Sequence, residues 1–89
     1  MTAPAAPSPR DRLAALVASV CVPAADPAQL DDETKLIAAG LALDSLALLE
    51  LVVGLEAEFG VAVPESDVTS ANFGTFGRLR AYVDARRRA

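Results

Sequence analysis

An all-α fold is predicted for this 89-residue chain: a small four-helix bundle with three main helices, one short helix and a long loop between helices one and two. Hydrophobic residues make up 53% of the chain and aromatics only 4%, so the core must be Leu, Val and Ala, and Ala and Leu are strong helix formers. In three separate stretches the apolar residues recur at spacings of three and four, which lines them along one side of a helix. A chain of this size buries roughly 60% of its unfolded surface, enough for modest stability but not for a large active-site cleft.

The elements follow in order. Residues 1–9 hold three of the six prolines among Ala, Thr and Ser and are expected to form a disordered tail, with the domain spanning 10–89. A helix start is nevertheless written across its end, where Ser8, Pro9 and Asp11 supply a cap, a first-turn proline and an early acid. Leu13, Leu16, Val17 and Val20 give helix one its stripe, Cys21 is read as a buried helix residue, and Val22-Pro23 marks the end. The connection from Pro23 to Leu43 is long for so small a domain, and Leu30, Leu36, Ile37 and Leu41 are expected to pin it to the bundle. Its Asp31-Asp32-Glu33 run reads as a solvated face. Helix two is predicted from about Leu46 to Phe59 with Ser45 as its N-cap, and Gly60 and Pro64 stop it. Thr69 to Phe73 has room for one helical turn, closed by Gly74. Thr75 then caps a last helix whose Phe76, Leu79, Tyr82 and Val83 share a face, and whose closing arginines, Arg86 to Arg88, complement the helix dipole.

Several functions are excluded by what the chain lacks. With no His and one Cys, the usual metal-ligand clusters, histidine-activated nucleophiles and intrachain disulfides are absent. Neither a signal peptide nor a membrane span is legible, so a cytoplasmic protein is expected. The net charge of −4 conceals a division: Asp26 to Asp67 carries −9 and the remainder +5. A basic partner is expected at the acidic part, and nucleic acid is disfavoured.

Helix two carries two apolar faces. At about 100° per residue, Leu48, Leu51, Val52, Leu55 and Phe59 share one arc and form the core face. Leu46, Leu49 and Val53 lie on another, flanked by Glu50 and Glu56. A small bundle buries only one stripe, so this second patch is expected to be exposed and to dock a partner, unless the long loop folds back over it. Ser45 stands at its head, where a helix N-terminus favours an attached phosphate.

From Leu13 to Val83 the chain resembles the acyl carrier proteins of fatty-acid, polyketide and peptide assembly. The resemblance is carried by Gly40, Leu43-Asp44-Ser45-Leu46, Glu50-Leu51, Leu55-Glu56, Glu58-Phe59-Gly60, Val63-Pro64 and the Phe76 to Val83 stretch. It implies that Ser45 receives a 4′-phosphopantetheine arm from coenzyme A through a phosphodiester, with Asp44 helping to present it to a separate phosphopantetheinyl transferase and its metal. Acyl groups then ride on the arm's thiol. It further implies that Leu46, Leu49, Val53, Glu50, Glu56 and Glu58 meet partner enzymes: loading enzymes, a ketosynthase or other acyl-transferring enzymes. Such a carrier is expected to be a monomer and needs no catalytic residue of its own.

Ala47 and Ala57 stand where fatty-acid carriers commonly hold acids. The Thr69 to Phe73 segment is about two residues longer than in their compact form. Both departures lean towards a discrete carrier of a specialised, antibiotic-type polyketide or hybrid pathway. A stand-alone aminoacyl or peptidyl carrier and a fatty-acid carrier stay open, as does an unmodified helical interaction module.

Overall fold

The computed structural model describes residues 7–37 and 39–88. Among the described residues there are four α-helices: α1 Pro9–Ser19, α2 Ser45–Phe59, α3 Ser70–Phe73 and α4 Phe76–Arg88. Single 3₁₀ turns occur at Pro27–Gln29 and Glu65–Asp67. The all-α expectation is met, and among the described residues the extended pairing is limited to one bridge between Lys35 and Thr75.

The start of α1 is the one its residues encode. Ser8 accepts from the Asp11 N–H at 3.1 Å, and Pro9 occupies a first-turn position where no N–H is needed. Ser8 and Pro9, within the tail assigned to residues 1–9, are thus the cap and the first residue of α1; residues 1–6 of that tail lie outside the described residues. The helix ends at Ser19, earlier than Val22-Pro23 suggests. Val20 and Cys21 donate to the carbonyls three residues back, Val17 and Ala18, at 3.3 Å each, so the last turn tightens and unwinds before the proline arrives. Cys21 consequently lies beyond the helix and is only half-buried, its thiol facing the Val17 carbonyl at 3.5 Å.

The core is aliphatic with two phenylalanines. Leu13 and Val17 of α1, Leu51 and Leu55 of α2, Phe73 of α3, and Phe76, Leu79 and Val83 of α4 are all buried. α1 and α2 meet at Gly54, where an added Cβ would lie 2.5 Å from Leu16 Cδ1. The same contact is closed by Arg12, which donates to the Glu58 carboxylate and to the Glu58 carbonyl, both at 2.7 Å.

The long connection is pinned, as its leucines predict, with Leu30, Leu36 and Leu43 buried and Ile37 and Leu41 partly so. It also completes the start of α4. The first N–H groups of any helix lack intrahelical partners. Here Phe76 donates to Thr34 O and Gly77 to Asp32 O, both at 2.9 Å, while Thr75 Oγ1 accepts from Arg78 at 3.2 Å. The same segment then receives the residues preceding α2: Leu36 donates to Gly74 O at 3.0 Å, and Leu43 donates to Leu36 O at 2.8 Å. A run of backbone hydrogen bonds thus fixes the head of α2 relative to α4.

Candidate functional site

The head of α2 is built differently from the sequence expectation, and the difference matters chemically. Asp44, not Ser45, is the N-cap: its backbone is extended and its Oδ1 accepts from the Ala47 N–H at 2.8 Å. Ser45 is the first helical residue. A carboxylate reaches the third N–H of the turn from one position earlier and brings a charge that the helix dipole favours, so Asp44 takes the role. The Ser45 hydroxyl is left exposed, with no intramolecular hydrogen bond among the described residues. The intrahelical ladder begins with Leu48 N–H to Asp44 O at 2.9 Å, which leaves the Ser45 and Leu46 N–H groups free at the helix terminus.

Two residues of the approach to this turn adopt left-handed backbone, Gly40 at φ 62° and Ala42 at φ 48°. Such a φ disfavours any residue with a Cβ, by roughly 1–2 kcal/mol for an L-residue in a left-handed helix. Ala42 therefore holds a strained conformation, fixed by the buried Leu43 that follows it. Nothing in the local composition announces it, because alanine is read as a helix former.

The second apolar face of α2 is exposed. Leu46 keeps 64%, Leu49 60% and Val53 57% of their surface, and the long connection does not cover them. The predicted acids do not act alike. Glu50 has no hydrogen bond or ion pair among the described residues and stands beside the patch. Glu56 accepts from the Val63 N–H at 3.0 Å and so anchors the chain leaving α2. Glu58 lies on the side that meets α1, occupied by Arg12. The structure thus brings Leu46, Leu49, Val53 and Glu50 together at Ser45's helix, but turns Glu58 away. Glu58 lies thirteen positions after Ser45, and at 3.6 residues per turn that carries the acid round towards α1.

An open, mainly apolar groove of about 570 Å³ runs down from Ser45. Its α2 side is Leu48, Leu49 and Val52; its opposite side is Val63, Glu65 and Val68. Glu65 and Val68 were not singled out from sequence, and Val63 only as part of the resemblance, because the segment around the Glu65–Asp67 turn has neither helical nor strand periodicity. The segment is nevertheless held firmly. Tyr82 of α4 donates to Asp67 Oδ2 at 2.6 Å, Arg86 approaches the same oxygen at 3.5 Å, and the Asn72 amide donates to the Asp67 carbonyl at 2.9 Å. Burial first, then the hydrogen bond to Asp67, pushes the Tyr82 phenol up from 10.0 to about 12, with Arg86 pulling in the opposite direction.

Comparison with known proteins agrees with this geometry. Residues 11–83 match the family described as the phosphopantetheine attachment site. The chain is 32% identical over 74 residues to Aminoacyl carrier protein 1 of Bradyrhizobium diazoefficiens, which covers 83% of this chain and 80% of that protein. It is also 39% identical over 59 residues to the Acyl carrier protein of Thermotoga maritima, covering 66% of this chain and 69% of that protein.

Proposed function

Because the chain belongs to the phosphopantetheine attachment site family, carriers with a covalently attached 4′-phosphopantetheine that are not themselves enzymes, we propose that Ser45 is the residue that bears the arm. The observation that carries this assignment is the release of the Ser45 hydroxyl: Asp44 caps the helix in its place, at 2.8 Å from the Ala47 N–H. The residues present fit the group. An exposed hydroxyl offers the ester oxygen, the free Ser45 and Leu46 N–H groups and the helix dipole favour a phosphate, and the apolar groove provides a wall for the carbon chain beyond it.

The arm supplies a terminal thiol, on which acyl intermediates are carried as thioesters. This chain's own residues hold the hydroxyl at the surface and present a recognition face. Leu46, Leu49 and Val53 contribute apolar contact, and Glu50 steers a basic enzyme into register. Asp44 presents the serine to the phosphopantetheinyl transferase. Glu56 and Glu58, which already serve Val63 and Arg12, contribute less to that face than their place on α2 suggests.

The carrier serves polyketide or related specialised biosynthesis in the cytoplasm as a monomer, exchanging intermediates with loading enzymes and a ketosynthase. The shortage of acids on α2, with alanine at 47 and 57, supports this reading over a fatty-acid role. A second reading, an aminoacyl carrier, is supported by the similarity that covers 83% of the chain. Incubation with coenzyme A and a phosphopantetheinyl transferase is expected to add one phosphopantetheinyl group to the intact mass, and none to Ser45→Ala. A wild-type protein that stays unmodified refutes the assignment. Intact mass of the protein from its native host separates an acyl from an aminoacyl cargo.

A further inference from the structure

The groove beside Ser45 has two walls of different origin. One is a face of α2, made rigid by its helical hydrogen bonds. The other, Val63 to Val68, contains only a single 3₁₀ turn and has no side-chain cap on that turn. Short irregular backbone holds its place only through contacts to its surroundings.

Those contacts converge on Asp67. Its carboxylate takes the Tyr82 phenol at 2.6 Å and lies 3.5 Å from Arg86, while its carbonyl takes the Asn72 amide at 2.9 Å. Tyr82 is itself fixed, its ring tilted against the buried Phe73 with centroids 5.8 Å apart and its other side beneath the Arg86 guanidinium at 5.5 Å. At the far end of the wall Glu56 holds the Val63 N–H. The groove-lining residues Val63, Glu65 and Val68 are therefore suspended between a carboxylate on α2 and a phenol on α4.

We propose that Tyr82, acting through Asp67, is a positioning residue that sets the spacing of the Val63 to Val68 wall from α2 and thereby the shelter given to a short apolar acyl chain carried on Ser45. This rests on the carrier reading. Neither residue touches the reacting atoms. The cargo class it selects is an unbranched or lightly branched apolar acyl group, because five of the seven lining residues are apolar aliphatic and the groove is open along its length.

The test is the spontaneous hydrolysis of the carried thioester, in which water attacks the carbonyl, the C–S bond breaks, and the free acid and the arm's thiol are released. Butyryl and acetyl forms of the full chain are prepared from the corresponding coenzyme A thioesters, as wild type, Tyr82→Phe, Asp67→Ala and Asp67→Asn. A severalfold acceleration is expected for the butyryl form of Tyr82→Phe and Asp67→Ala, with the acetyl form unchanged because it is too short to use the wall. Asp67→Asn keeps an oxygen for the phenol and is expected to restore most of the protection.

A purely structural role for Tyr82 would loosen both acyl forms alike or change neither. Hydrolysis that is the same in wild type and both latch variants, or accelerated equally for acetyl and butyryl, overturns the proposal. Should one variant unfold, the methyl shifts of Val63 and Val68 decide in the others: butyrylation should move them in wild type and much less in the latch variant. No shift in wild type also overturns it. Failure of the carrier reading looks different, since the wild type then takes up no arm at all.

Discussion

Asp44 and Ser45 are adjacent, both exposed, and both acceptable N-cap types, yet the structure assigns them opposite energetic roles. Replacing Asp44 by Ala removes the 2.8 Å bond to the Ala47 N–H and a negative charge at the head of α2. Loss of a cap costs about 1 kcal/mol, and the charge at the dipole about 0.3–1 kcal/mol more at low salt. The sum, about 1–2 kcal/mol, corresponds to a fall in Tm of roughly 5–15 °C for a domain of this size. Ser45→Ala removes a hydroxyl that bonds to nothing among the described residues and installs a better helix former. Its stability is expected to stay within about 0.5 kcal/mol of wild type. Asp44→Asn keeps the accepting oxygen and is expected to lose only a few tenths of a kcal/mol to about 1 kcal/mol, the share that salt screens. Thermal unfolding of the unmodified proteins, followed by circular dichroism at low and high salt, measures all three. A drop for Ser45→Ala as large as that for Asp44→Ala refutes the placement of the cap and, with it, the reason the hydroxyl is free.

Three further outcomes are expected. Glu50→Lys should leave stability within about 0.5 kcal/mol and slow acyl transfer from partner enzymes at low salt; Glu58→Lys should instead lose the 2.7 Å pair with Arg12, about 0.5–1 kcal/mol, with transfer kinetics little changed. Gly77→Ala would put a Cβ 2.8 Å from the Asp32 carbonyl oxygen and 3.2 Å from its Cα. Overpacking at about 1–3 kcal/mol exceeds the helix-propensity gain of about 1 kcal/mol, so a lower Tm and faster amide exchange at Leu43 are expected, and an unchanged Tm counts against the docking of the loop on α4. The Tyr82 phenol has a folded-state pKa raised from 10.0 to about 12, so its contribution is fully present below pH 10 and is lost as pH rises towards 12. Ultraviolet titration of the phenolate should show a late midpoint in the folded chain, moved down towards 10 by Asp67→Ala.

What the sequence by itself determined is the set of features that local rules encode. Ser8 before Pro9, Gly60 after Phe59 and Thr75 before Phe76 each act within one turn of chain, and the helices begin and end close to where those residues direct. The two faces of α2 also follow from its order of residues, because a helix fixes the angle between neighbours, and Leu46, Leu49 and Val53 are exposed as that angle requires. Tertiary structure alone decided the rest. Arg12, forty-six positions away, claims Glu58, and Tyr82, fifteen positions away, claims Asp67. Asp44 caps α2 through its carboxylate's reach to the Ala47 N–H, while the chain entering that turn is held by the pairing of Leu43 with Leu36, a contact no local rule encodes. Irregular segments such as Val63 to Val68 have no periodicity to read, since their conformation is held by partners distant in sequence. A spacing rule reaches only as far as the next turn, whereas the walls of a groove are placed by whichever elements pack behind them.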